Sequence, residues 1–102
     1  MGWEFKARTI WSTLGSSGST HGAYDVRGGM EHTVYIQTAN STATVHILTG
    51  RTSTGPWHDL GSTDLGVNAA TVLQFTGPLA WVTPRVEAIS NTNGVTIELL
   101  SV

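Results

Sequence analysis

Residues 77–101, GPLAWVTPRVEAISNTNGVTIELLS, carry two apolar runs joined at Asn93-Gly94, and their reading decides the fold. Asn-Gly between alternating hydrophobics favours a two-residue turn whose central residues both need φ > 0, which Asn and Gly tolerate best. The stretch is therefore expected to be a β-hairpin in which Thr92 faces Val95, Ser90 faces Ile97, Ala88 faces Leu99 and Val86 faces Ser101. That register gathers Val82, Val86, Ala88, Val95, Ile97 and Leu99 on one face and leaves Arg85, Glu87, Glu98, Ile89 and Leu100 on the other. Pro84 has no N–H to give to a ladder, so an edge-facing position or a local bulge is expected there.

The same alternation recurs upstream. Residues 31–38 (EHTVYIQT) and 42–49 (TATVHILT) flank Asn40-Ser41. Read as a second hairpin, they set Val34 against Ile47 and Ile36 against Val45, with Tyr35–His46 and Gln37–Thr44 on the polar side. Residues 3–14 alternate Trp3, Phe5, Ala7, Thr9 and Trp11 with Glu4, Lys6, Arg8, Ile10 and Ser12, a period of two that indicates a terminal strand with one aromatic face. Residues 15–22 have loop composition; 23–27, 57–60 and 71–75 read as short strands, and 62–70 as turn-rich. Short strands separated by Gly, Ser and Asn indicate an all-β protein, a single antiparallel β-sandwich or jelly-roll-like barrel with little or no helix.

Composition narrows the function classes. The 102 residues are read as one domain, 1–102, with 1–14 a terminal strand available for subunit or partner contacts. Charged residues make up 12% and the net charge is −2 without a basic cluster, so the electrostatic footprint that nucleic acid or an anionic membrane requires is missing. No run approaches the ~20 apolar residues of a membrane span, and the first residues lack a signal-peptide core. With no cysteine, disulfides and thiolate metal sites are ruled out, and packing alone must hold the fold.

Side-chain chemistry points away from catalysis. His21, His32, His46 and His58 share no metal-ligand spacing and are expected to be exposed or hydrogen-bonded surface residues. Asp25, Asp59, Asp64, Glu31, Glu87 and Glu98 could supply an acid and a base, but no spacing pairs them, and no nucleophile elbow or phosphate loop occurs. A non-enzyme without a cofactor is expected. Of the four tryptophans, Trp57 and Trp81 are expected in the core; Trp3 and Trp11 with Phe5 on the terminal strand, and Arg85, Glu87 and Leu100 on the mixed face, are the candidate partner or subunit contacts. Aromatic stacking on sugar rings makes a carbohydrate-binding module an alternative.

Tyr24-Asp25-Val26-Arg27-Gly28, Gly55-Pro56-Trp57, Phe75-Thr76-Gly77-Pro78, Trp81-Val82-Thr83-Pro84-Arg85-Val86 and Gly94-Val95-Thr96-Ile97 together resemble small β-sandwich virion proteins of tailed bacteriophages, over about residues 22–101. Pro84 departs from the Arg-bearing pattern of that strand. The resemblance implies a capsid decoration or cement protein on the outer surface of the virion, made in the host cytoplasm. Its partners would be the major capsid protein and copies of itself, as a homotrimer. A head-fibre base, tail or baseplate component is the neighbouring alternative.

Overall fold

The computed structural model describes residues 7–14, 19–20, 22–91 and 94–102, with side chains described from residue 22 onward. Nine strands run through them: β1 (Ala7–Leu14), β2 (Ser19–Thr20), β3 (Tyr24–Asp25), β4 (Glu31–Thr38), β5 (Ala43–Gly50), β6 (His58–Leu65), β7 (Ala70–Thr76), β8 (Trp81–Glu87) and β9 (Val95–Ser101). The described residues contain no helix. All pairings are antiparallel. One sheet, here sheet A, has the order β1-β9-β4-β7; sheet B has β2-β8-β5-β6, with β3 also on β8. This interleaving of strands distant in sequence is the jelly-roll arrangement.

Alternation builds the core. Val34 and Ile36 on β4 and Ile97 and Leu99 on β9 fill one inner face, and Val45, Ile47, Val82 and Val86 on β5 and β8 the other, none more than 1% exposed. β-Branched side chains suit this pleated surface, and each fully buried aliphatic contributes about 1.5–3 kcal/mol.

Both expected hairpins are replaced by crossings between the sheets. β8 pairs with β2, β3 and β5, and β9 with β1 and β4, so Val86 lies opposite Val45 and Ser19 rather than Ser101. Likewise β4 pairs with β7 and β9, and β5 with β6 and β8, so Val34 lies opposite Leu73 and Leu99 rather than Ile47. The inward residues were legible because a period of two fixes which side faces the core. It does not fix whether the next strand lies beside its predecessor or across the interior from it. Ala88 departs from the expected apolar face: it is exposed, with φ 51°, and the chain leaves sheet B there. Thr92 and Asn93 lie outside the described residues.

The two crossings are sewn to each other. The Ala39 N–H donates to the Gly94 carbonyl at 2.8 Å, and the Ser90 N–H to the Thr42 carbonyl at 3.1 Å. The Thr42 N–H donates to Ser90 Oγ at 2.8 Å and the Asn91 N–H to Ser41 Oγ at 3.1 Å, while the Asn91 amide reaches the Asn40 carbonyl. Backbone groups that a hairpin would have paired are satisfied here by the neighbouring crossing.

Other expectations shift in detail. Residues 62–65 belong to β6 rather than to a turn-rich segment. Pro84 lies in a ladder, opposite Ile47 on β5. Since the Val26 N–H donates to the Ala80 carbonyl, even-numbered residues of β8 turn their backbone groups toward β2 and β3. Pro84 thus has its missing donor on the side where Thr20 pairs with Arg85 and Tyr24 with Val82 but no described residue pairs with Pro84 itself, a place that proline tolerates.

Candidate functional site

The outer side of sheet B carries a polar row created by a bulge. In the β5–β6 pairing Ile47 faces Gly61 but Leu48 faces Asp59, so Leu60 is the extra residue. Strict alternation would turn Asp59 inward. The bulge instead lets Leu60 pack against the core and re-aims Asp59 at His46. His46 Nδ1 lies 2.8 Å from Asp59 Oδ2, and its Nε2 3.4 Å from Glu87 Oε2. Arg85 is 2.8 Å from the other oxygen of Glu87. Thr44 Oγ1 donates to Asp64 at 2.8 Å beside them.

Arg85 and Glu87, named from sequence, are therefore joined with His46 and Asp59, which were not named as contacts. Both imidazole nitrogens face carboxylates, and no group of three His, Cys, Asp or Glu among the described residues is placed to hold a metal ion. With side-chain exposures from 24% to 50%, these pairs hold little folding energy. They present a fixed pattern of charge to whatever approaches.

One end of the same face is aromatic. Gly55 has φ 89° and precedes Pro56 through a cis peptide, and the Thr52 hydroxyl donates to the Gly55 carbonyl at 2.7 Å. Trp57 lies against Gly50, where an added Cβ would stand 2.9 Å from the indole. Trp81 pairs with Gly50 in the ladder and lies under the Arg27 guanidinium, 5.7 Å from ring centroid to Cζ. Asp25 grips Arg27 with both oxygens, at 2.9 and 2.6 Å. The side-chain and backbone hydrogen bonds from Arg27 hold the Asp25 carboxyl at about 2, well below the usual carboxylate range. Trp57 and Trp81 are half-buried rather than core residues: the interior is filled by Val, Ile and Leu, and the indoles cover an outer surface instead.

The histidines divide. His46 is half-buried, His58 exposed, and His21 lies outside the described residues. His32, expected at the surface, is 1% exposed. Two hydrogen bonds hold it there, one between Nδ1 and Ser101 Oγ at 2.7 Å and one from Nε2 to the Gly77 carbonyl at 3.0 Å.

The outer side of sheet A is less charged. The register lines up Val72, Tyr35 and Glu98 across β7, β4 and β9, at the centre of an open depression of about 400 Å³ also lined by Gln37, Ala70 and Thr96. Tyr35 is 44% and Val72 48% exposed. Leu100, half-buried, stands opposite Thr33 and Arg8. Trp11 stands opposite Ile97 in the β1–β9 register; its side chain, and all of Trp3 and Phe5, lie outside what is described.

These features define an antiparallel jelly-roll sandwich with a charged and aromatic outer face on one sheet and an apolar depression on the other. No protein-family profile and no curated protein sequence matches the chain. Solved structures do. The SPBc2 prophage-derived protein YomS is similar over 93% of this chain and 92% of its own, with a TM-score of 0.62 at 17% identity. PirA is similar over 93% of both chains, with a TM-score of 0.57 at 14% identity. A protein of Bacillus endospore appendages, which form disulfide-linked pili, follows at 0.50 and 10% identity, over 93% of this chain and 82% of its own. At these identities the likeness is one of fold.

Proposed function

We propose that the chain is a structural protein of a bacteriophage virion, a capsid decoration protein that binds the outer shell and stabilises it by bridging coat subunits. The observation that carries this reading is the exposed apolar pair Tyr35 and Val72, 44% and 48% exposed, opposite each other on β4 and β7 at the open depression on the outer side of sheet A. Large apolar side chains paired at a depression suit contact with a partner surface. The fold shared with a prophage-derived protein and the resemblance of residues 22–101 to virion proteins support the same direction. The role is structural rather than enzymatic, and many copies on a shell gain by avidity what each small contact lacks.

Adding purified protein to undecorated heads tests this. The expected result is a raised capsid melting temperature that is lost with Tyr35→Glu, a substitution at a solvent-facing position. Absence of binding by the native chain overturns the reading. Electron microscopy of labelled virions separates shell-wide decoration from a head-fibre, tail or baseplate position. A glycan-binding role is the second reading, favoured by the half-buried Trp57 and Trp81, which both neighbour Gly50. Indole fluorescence unchanged across a broad glycan panel removes it.

A further inference from the structure

Among the described strands the two sheets have four edges, and three carry features that block strand addition. β6 has a bulge at Leu60 and the acids Asp59 and Asp64. β1 has a register shift between Trp11 and Leu14 and contains Arg8. The edge beside β8 is broken into two-residue pieces, β2 and β3. Bulges, charges and short strands are the usual protections of an open edge.

β7 has none of them. Its sequence, ATVLQFT, contains no charge, proline or glycine, its pairing with β4 is unbroken over its whole length, and no other described strand pairs with it. The direction of its free hydrogen-bonding groups follows from the ladder. The Thr38 N–H donates to Ala69 O and the Gly77 N–H to Met30 O, so in this register odd-numbered residues of β7 bond to β4. Ala70, Val72, Gln74 and Thr76 therefore turn their N–H and C=O groups outward.

We propose that the free edge of β7 is a docking site for the β7 of a second copy of this chain, joined antiparallel about a two-fold axis at Leu73. The occupant is assigned by self-complementarity. With Leu73 on the axis, Val72 of one copy faces Gln74 of the other and Ala70 faces Thr76. All four are outward-turned residues, so every free donor meets a free acceptor. No like charges meet, because the strand has none. The same operation brings the end of one strand that carries Val67 to the end of the other that carries Met30, the two most exposed large hydrophobics among the described residues. The interface is isologous, and sheet A continues across it into its copy. This contact gives a dimer where the resemblance implies a trimer, and it holds whether or not the chain decorates a capsid.

Sedimentation of the purified chain over a concentration series tests the contact directly. The native chain is expected to dimerise. Gln74→Pro removes one outward N–H per copy, two hydrogen bonds per dimer, and should weaken dimerisation by about tenfold to a hundredfold. Val72→Lys places a charge on the edge without touching the β4 ladder and should do the same, with the far-ultraviolet circular dichroism of the fold retained. Because the native chain has no cysteine, the double variant Val72→Cys, Gln74→Cys should run as a covalent dimer on a denaturing gel after oxidation. A monomer at every concentration, or an oligomer of any size that survives both Gln74→Pro and Val72→Lys, overturns the proposal.

Discussion

His32 and Ser101 are 69 residues apart in sequence and hydrogen-bonded at 2.7 Å inside the core. The imidazole also reaches the Gly77 carbonyl, which can only accept. Nε2 therefore carries the proton, and in the neutral ring Nδ1 accepts from the Ser101 hydroxyl. One side chain thus ties β4 to β9 and to the connection leaving β7.

Removing either partner should show this. Ser101→Ala leaves a buried nitrogen unsatisfied and is expected to cost about 1–3 kcal/mol in urea unfolding. His32→Ala also leaves a cavity and should cost about 3 kcal/mol or more. Nitrogen-15 spectra should show the Nε2–H tautomer. Losses under about 0.5 kcal/mol for both variants would mean that the pair is not satisfied as described.

The stitched crossings give a second prediction. A Cβ at Gly94 would overlap the side chain of Ser41, which is fully buried. Gly94→Ala should destabilise by about 1–3 kcal/mol through overpacking, and Ser41→Gly in the same chain should recover part of the loss. Equal melting temperatures for native and Gly94→Ala chains would contradict the close approach of the two crossings.

Ala88 offers the opposite sign. Its φ of 51° is a conformation that an alanine holds only with strain. Ala88→Gly should therefore stabilise the fold by about 1 kcal/mol, partly offset by the greater freedom of glycine in the unfolded chain. Chemical denaturation reads the difference, and a clear loss of stability would show that Ala88 is not held in this conformation.

Asp25 supplies a pH signature. Its folded carboxyl titrates at about 2 because Arg27 hydrogen-bonds the charged form. A depressed folded value means that the contribution is present above the ordinary aspartate range and is lost as pH falls toward 2. Carbon-13 titration should place the native midpoint at about 2 and return it toward the ordinary range in Arg27→Ala, with a change in Trp81 fluorescence as the guanidinium leaves the ring. An unchanged midpoint would remove Arg27 as the cause.

How far the sequence reached depended on which property was asked of it. Val82, Val86, Val95, Ile97 and Leu99 were legible as one inward set because alternation depends on the chain alone. Their pairing was not, since Asn93-Gly94 serves a hairpin reading and the actual crossing starts earlier, at Ala88. Arg85 and Glu87 could be placed on an outer face by parity. Their partners His46 and Asp59 could not, because three strands had to be ordered first and a bulge had to reverse the parity of Asp59. The place of Trp57 among the strand runs suggests a core residue, yet Gly50 offers the bare backbone on which an indole can lie. The open edge of β7 was invisible until the strand order showed which strands stood last.

β9 lies between β1 and β4, so it is the strand that joins β1 to the rest of sheet A. Until residues 95–101 have left the ribosome, β1 has no partner among the described strands and β4 lacks one of its two. The nascent chain can form the β5–β6 hairpin early, but β1 must wait for a strand about eighty residues further on. Deleting residues 95–101 would act on β1 as directly as on β9's other neighbour.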